Sequence, residues 1–175
     1  LKYAPLPQRR PALNLRKNRK QKEFFTIITL NSQGLASKYH EFTEYIERME
    51  PDFAIIQETL QQAPKPPVVT TNYDAVQRHE VPGADSARGL MIMFKRGLYT
   101  VTTLEVENDV KNWILPILTK NSTTGKSHLV VGFYINSNRQ TRRKHLPLLA
   151  RTLTKLRRTN GETPITVAGD WNIQP

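Results

Sequence analysis

Strand, helix, strand recurs towards both ends of this chain, and only strands lie between. Residues 24–30 (FFTIITL) are a continuous apolar, β-branched run, the pattern of a strand buried on both faces. After a break at Asn31, Ser32, Gln33 and Gly34, apolar side chains recur at spacings of four and three: Leu35, Tyr39, Phe42, Ile46 and Met49. Glu41, Glu44 and Glu47 fall on the other side, so this is an amphipathic helix. Pro51 lies just past its end. Phe53, Ala54, Ile55 and Ile56 then make a second buried strand running into Gln57 and Glu58. That order makes a parallel crossover the default.

A stiff loop over 60–67, with Pro64, Pro66 and Pro67, leads into a meander. Strands are expected over 73–78, 89–94, 99–106, 113–119 and 127–135, punctuated by Pro82-Gly83, Arg96-Gly97 and a turn at 121–125. Pro116 marks the fourth of them as an edge strand or a bulge. A second helix spans 139–158 on the stripe Leu146, Leu149, Leu153 and Leu156, and Asn160-Gly161 closes it. Residues 164–168 (PITVA) form a last short buried strand. The fold class is α/β, a mixed sheet with helices against a face. Residues 1–23 read as a basic flexible leader carrying Pro5, Pro7 and Pro11, and 24–175 as one domain.

Charge narrows the partners. The chain carries a net charge of +11, gathered in two blocks without acids. Lys2, Arg9, Arg10, Arg16, Lys17, Arg19, Lys20 and Lys22 form the first; Arg139, Arg142, Arg143, Lys144, Arg151, Lys155, Arg157 and Arg158 form the second. Such blocks suit a polyanion, because neutralising phosphates releases counterions. A solvated tail and helix face are the plainer alternative. No apolar run is long enough for a membrane span, and no signal segment opens the chain. With no cysteine, disulfides and thiolate zinc sites are excluded, and a reducing intracellular compartment is expected. Any metal is expected to be hard and oxygen-bound.

Ligands of parallel α/β sheets gather at the carboxyl ends of strands. Here those ends are polar: Asn31 after the first strand, Glu58 after the second, Tyr134 and Asn136 in and after the fifth meander strand, and Gly169-Asp170-Trp171-Asn172 after the last. Any one of them could simply begin a turn. Two acids with amide companions are what a hard cation and a phosphate require.

The same residues carry a family resemblance. Leu30-Asn31-Ser32-Gln33-Gly34-Leu35 resembles the strand-end Asn-x-Asp/Asn-Gly-Leu of the endonuclease/exonuclease/phosphatase superfamily. That superfamily includes DNase I, exonuclease III-like abasic-site endonucleases and the endonuclease domains of LINE-type retrotransposons. Pro51-Asp52-Phe53-Ala54-Ile55-Ile56-Gln57-Glu58-Thr59 is similar to its apolar strand ending in Q-E-T. Ala87-Arg88-Gly89-Leu90-Met91-Ile92-Met93 resembles the R-G-G-V-A strand, Val131-Gly132-Phe133-Tyr134-Ile135 the strand bearing a phosphate-side Tyr, and Ala168-Gly169-Asp170-Trp171-Asn172 the G-D-x-N segment. Leu90 stands where a second Gly is common, Gln33 where the family has Asp or Asn, and Asn136 where it has proline.

The resemblance implies a two-sheet DNase I-like sandwich, mixed and mostly antiparallel, with two crossover helices. It implies that Glu58 and Asn31 hold magnesium, for which manganese can substitute. Asp170 would orient or deprotonate the attacking water or assist the leaving group, Asn172 would hold phosphate oxygens, and Tyr134 would donate to the phosphate. Arg139, Arg142, Arg143 and Lys144 would bind the DNA backbone. The implied function is a nicking DNA endonuclease of a mobile element, nuclear, with upstream and downstream polyprotein regions as partners. The second sheet and the closing Ser-Asp-His segment with its catalytic His would lie beyond Pro175, leaving an open sheet face and impaired activity. Two alternatives share this chemistry: a phosphatase or phosphodiesterase acting on lipid, inositol phosphate or RNA, and a non-catalytic nucleic-acid-binding relic. His40, His79, His128 and His145 are read as structural, and Thr124-Gly125-Lys126-Ser127 as a hairpin turn rather than a phosphate loop.

Overall fold

Alternation along β2 (Phe53–Gln57) fixes the architecture, because all five of its residues are buried. Phe53 and Ile55 point to one hydrophobic cluster, Ala54 and Ile56 to another, so the sheet is covered on both faces. The computed structural model describes residues 25–84 and 87–172, and the expected leader lies outside them. One sheet contains β1 (Ile27–Asn31), β2, β3 (Tyr73–Glu80) and β4 (Arg88–Lys95), in the order β1-β2-β4-β3. The other contains β5 (Tyr99–Thr103), β6 (Ile114–Asn121), β7 (Ser127–Tyr134) and β8 (Ile165–Asp170), in sequence order. β1 pairs with β2 in parallel, as does β7 with β8; the other pairings are antiparallel.

Four strands of the second sheet therefore lie within this chain. Arg96-Gly97, with Gly97 at φ +72°, turns the chain out of β4 and into the opposite layer, where β5 starts a new sheet. The open face that the resemblance implied is also corrected. Phe53, Ile55, Leu90, Ile92 and Phe94 of the first sheet pack on Leu115, Ile117 and Val130 of the second. The outer faces carry α1 (Tyr39–Met49) and α2 (Arg139–Asn160). Four layers result, helix, sheet, sheet, helix.

Both helices bury less of their apolar stripe than the spacing predicts. In α1, Phe42 and Ile46 are buried, whereas Tyr39 and Met49 overhang at its two ends and are exposed. In α2 the buried line is Leu149, Thr152 and Leu156, flanked by Leu148 and Leu153. Leu146 is exposed, and His145 takes the inward place, stacked on Trp113 at 4.2 Å. Asn138 caps α2 by accepting from the backbone N–H groups of Gln140 and Thr141.

Three further expectations change. β1 and β8 are half-buried edge strands rather than fully buried ones, since each pairs on one side only. Pro116 sits in β6, an inner strand, and not at an edge. Its carbonyl accepts from Leu104 N–H, one residue past the end of β5, so its missing donor falls where the ladder is already ending. The 121–125 turn is the expected hairpin, with Gly125 at φ +69° and Asn121 Oδ1 accepting from the N–H groups of Thr123 and Thr124.

Candidate active site

The parallel pairs β1/β2 and β7/β8 sit at the same side of the sandwich, and their carboxyl ends meet. Asn31 closes β1, Glu58 follows β2, Tyr134 closes β7 and Asp170 closes β8. The Asn31 amide nitrogen donates to Glu58 Oε1 at 2.8 Å and to Asp170 Oδ2 at 3.0 Å. Two carboxylates from different sheets therefore lie within reach of a single nitrogen.

The backbone around Glu58 is held from both sides. Glu58 and Leu60 have φ of +52° and +51°, a left-handed conformation that costs non-glycine residues about 1–2 kcal/mol. Hydrogen bonds to the loop after β1 offset that cost: Gly34 N–H donates to Glu58 O at 2.8 Å, Leu35 N–H to Thr59 O at 3.0 Å, and Ser32 Oγ to Glu58 O at 2.9 Å. On the other flank, Leu60 N–H donates to Arg88 O at 3.0 Å. Gly89 permits that approach. It has φ +86°, and a Cβ there would lie 2.2 Å from Thr59 Oγ1.

Gln33 has φ +47°, and its N–H donates to Asn31 Oδ1 at 3.1 Å. Asn and Asp tolerate that conformation better than Gln. The departure at this position therefore bears on the turn, because what reaches the site is the Gln33 backbone. It also fixes the Asn31 amide: with Oδ1 turned to Gln33, Nδ2 faces the carboxylates.

Glu58 is the electrostatic centre. Its Oε2 lies 2.9 Å from Arg88 Nε, and its side chain is only 13% exposed. This is an ion pair rather than an aligned hydrogen bond, since that N–H has no acceptor in its path. The Tyr134 hydroxyl bonds to the same carboxylate, and burial, followed by the Glu58 charge, raises its pKa well above that of a free tyrosine. It stays a neutral donor. Asp170 accepts from Asn31 and, through Oδ1, from Asn172 N–H at 2.9 Å. Asn172, at φ +46°, donates its side-chain amide to Ile135 O at 2.7 Å, which ties the end of β8 to the end of β7. An amide has two hydrogens, so one remains for a ligand.

The basic residues expected to bind nucleic acid divide into two groups. Arg142 Nη1 donates to Asn172 O at 2.6 Å, so it braces the site. Arg139, Arg143 and Lys144 make no ion pair among the described residues. Further along α2, Arg151 bridges Glu107 and Asp109, and Lys155 pairs with Glu107 at 3.3 Å, which offsets the charge of these two cations. The four histidines stay away from the site. His40 is in α1, His79 bonds to Lys65 O, His128 to Thr166 Oγ1, and His145 stacks on Trp113.

Arg88 was quoted in a motif but given no role by the sequence. The signal was its place: a strand antiparallel to β2 begins where β2 ends. Gly169 is the other. A Cβ there would lie 2.1 Å from Phe133 O, so the Gly before Asp170 lets β8 close on β7.

No family profile matches the sequence, and no curated protein sequence does. Solved structures do match. A mannosyl-6-phosphatase from Bacteroides thetaiotaomicron superposes with a TM-score of 0.60 at 14% identity, covering 87% of this chain and 67% of that one. An endonuclease/exonuclease/phosphatase family protein from the same organism gives 0.59 at 14%, covering 85% and 64%. The endonuclease domain of TRAS1, a telomere-specific non-LTR retrotransposon, gives 0.58 at 13%, covering 86% and 61%. The chain thus spans about two thirds or less of the structures it matches. At these identities the likeness speaks for the fold, and the strand order, the crossover helices and the meeting of strand ends agree with it: this chain has the DNase I-like fold of the endonuclease/exonuclease/phosphatase proteins.

Proposed function

We propose that the chain carries the metal-binding and water-activating side of a magnesium-dependent phosphodiesterase that nicks DNA, of the retrotransposon type. The observation that supports this most is the single amide of Asn31 bonded to both Glu58 and Asp170, residues 27 and 139 positions away.

The donor set fits a hard cation. It offers carboxylate and amide oxygens, and among the described residues no group of three or more His, Cys, Asp or Glu converges. Magnesium is commonly held by one or two carboxylates and keeps waters and substrate phosphate oxygens as its other ligands. Glu58 and Asn31 would hold it, Asn31 by reversing its amide so that Oδ1, turned to Gln33 N–H in this structure, faces the Glu58 carboxylate, and manganese is the expected substitute. When bound, the ion polarises the scissile phosphate and offsets the charge that builds on it.

The chain's own groups supply the rest. Asp170, fixed by Asn31 and Asn172, accepts the proton of the attacking water. The free amide hydrogen of Asn172 donates to phosphate oxygens, and so does Tyr134 once its hydroxyl turns from Glu58 to the substrate. Arg139, Arg143 and Lys144 lie on the first turns of α2, which Arg142 anchors to Asn172, and they neutralise backbone phosphates beside the site. Acting on DNA, the protein works in the nucleus, alongside upstream and downstream regions of a larger polyprotein. Among the described residues no helix is long and apolar enough to cross a membrane.

The test is relaxation of supercoiled plasmid with magnesium, by this chain and by the chain extended past Pro175. Nicking that Glu58→Ala abolishes is expected. Hydrolysis of a small phosphomonoester without nicking would overturn the reading, and so would nicking indifferent to Glu58.

A further inference from the structure

The inner face of the first sheet holds more cationic donors, next to Glu58, than its anions use. Val76 of β3 and Leu90 of β4 belong to the cluster between the sheets, so Arg78 and Arg88, each two residues along, face the same way. Leu90 stands opposite Arg78 on one side and Gln57 on the other, and Arg88 stands opposite Glu80. Arg78 and Arg88 are therefore diagonal neighbours, with backbones about 7–8 Å apart and long side chains that reach one region.

Their donors lack acceptors. Arg78 Nε and Nη2, Arg88 Nε and Gln57 Nε2 are all buried without a hydrogen-bond partner, and Gln57 is only 1% exposed. Arg78 makes no ion pair among the described residues. Glu80, the acid opposite Arg88 on this face, instead accepts from Gln62 Nε2 at 3.4 Å, and Asp74, at the far end of β3, pairs with Arg96. Among the described residues the single anion touching the group is Glu58, on Arg88. Buried unpaired donors are rare and costly in native proteins. An acceptor from outside the chain resolves all of them together. The region is reachable, since the Arg88 side chain is 40% exposed and Arg78 is half-buried.

The geometry points to a second anion pocket, formed by Arg78, Arg88 and Gln57, that binds a non-reacting phosphate of the substrate. Two planar guanidinium forks match phosphate oxygens in pairs. The pocket abuts Glu58 on the side away from Asn31 and Asp170, so its phosphate is a neighbour of the one cleaved. In a polynucleotide this is an adjacent backbone phosphate. That identity of the ligand rests on the function proposed above; the pocket does not.

The test compares wild type with Arg78→Met and Arg78→Lys, in EDTA so that no metal recruits phosphate to the catalytic centre. Thermal midpoints are measured against inorganic phosphate, and binding of a labelled DNA duplex is measured across salt concentrations. Arg78→Met is expected to be at least as stable as wild type without phosphate, to lose most of the phosphate-dependent rise, and to bind DNA about tenfold more weakly. Its slope of log K against log salt falls by about 0.9, whereas Arg78→Lys keeps the slope and loses part of the affinity. A lower midpoint for Arg78→Met with an unchanged phosphate response overturns the pocket, because Arg78 is then a packing residue. Loss of the phosphate response with DNA affinity and slope unchanged leaves the pocket standing. That result overturns the DNA assignment in favour of a small phosphorylated substrate.

Discussion

Replacing Gly169 by Ala tests how Asp170 is placed. An added Cβ would lie 2.1 Å from Phe133 O and 2.9 Å from Phe133 C, and both are backbone atoms that no rotamer change can move aside. Ordinary contact begins near 3.4 Å, so β8 must retreat from β7 by roughly 1.3 Å at this point. The pairing Phe133↔Gly169 and Tyr134↔Asp170 opens with it, as does the bond from Ile135 N–H to Asp170 O, now 3.0 Å. Overpacking costs about 1–3 kcal/mol and each loosened backbone bond about 1 kcal/mol, which gives about 3 kcal/mol in all. For a domain of this size that lowers the melting midpoint by roughly 6–12 °C. The same displacement takes Asp170 out of reach of Asn31, and misplacement by about 1 Å costs on the order of 100-fold in rate. Gly125→Ala is the control, since its Cβ would meet nothing within 4 Å and only its φ of +69° is unfavourable. Its expected cost is about 1 kcal/mol. Thermal denaturation of both variants, followed by tryptophan fluorescence, separates the contact from the backbone conformation. A Gly169→Ala midpoint within 2 °C of wild type would refute the argument.

Two further outcomes follow from side chains around the site. Arg143→Ala should lower the salt slope of duplex binding by about 0.9, one phosphate contact, whereas Arg142→Ala should leave the slope alone and slow nicking by releasing Asn172; equal slopes in the two variants would contradict the division between them. His128 and His145 have pKa values lowered by burial from 6.5, so their contribution to stability is complete above pH 6.5 and is lost as pH falls through the lowered values. Melting midpoints measured from pH 7.5 down to 5 should decline below 6.5, and the decline should be shallower in His145→Phe, which keeps the stack on Trp113.

Much of this architecture was legible because its signals are local. Apolar runs, caps and turns marked every strand and both helices, and the parallel crossovers followed from their order. What was not legible depends on which side of an element has a neighbour. The run at 24–30 looks buried on both faces, yet β1 is an edge strand, and no local pattern distinguishes the two. Pro116 argues for an edge by its missing donor. It is tolerated inside the sheet because β5 stops at Thr103, a fact of the neighbouring strand. Leu146 fits the helical spacing as well as Leu149 does; the aromatic surface of Trp113 is what turns His145 inward in its place.

The site shows the same division. Asn31, Glu58, Tyr134, Asp170 and Asn172 could be singled out because each stands at a strand end, where a polar residue after an apolar run is conspicuous. Arg88 and Arg78 were hidden because an arginine within or beside a strand of a basic protein draws no notice. Their meaning comes from register: β4 starts and β3 ends where β2 delivers Glu58, and the inward face there has one carboxylate in contact with two guanidinium groups in reach. Charge balance inside a sandwich is a property of paired strands, so it becomes visible only when the pairing is known.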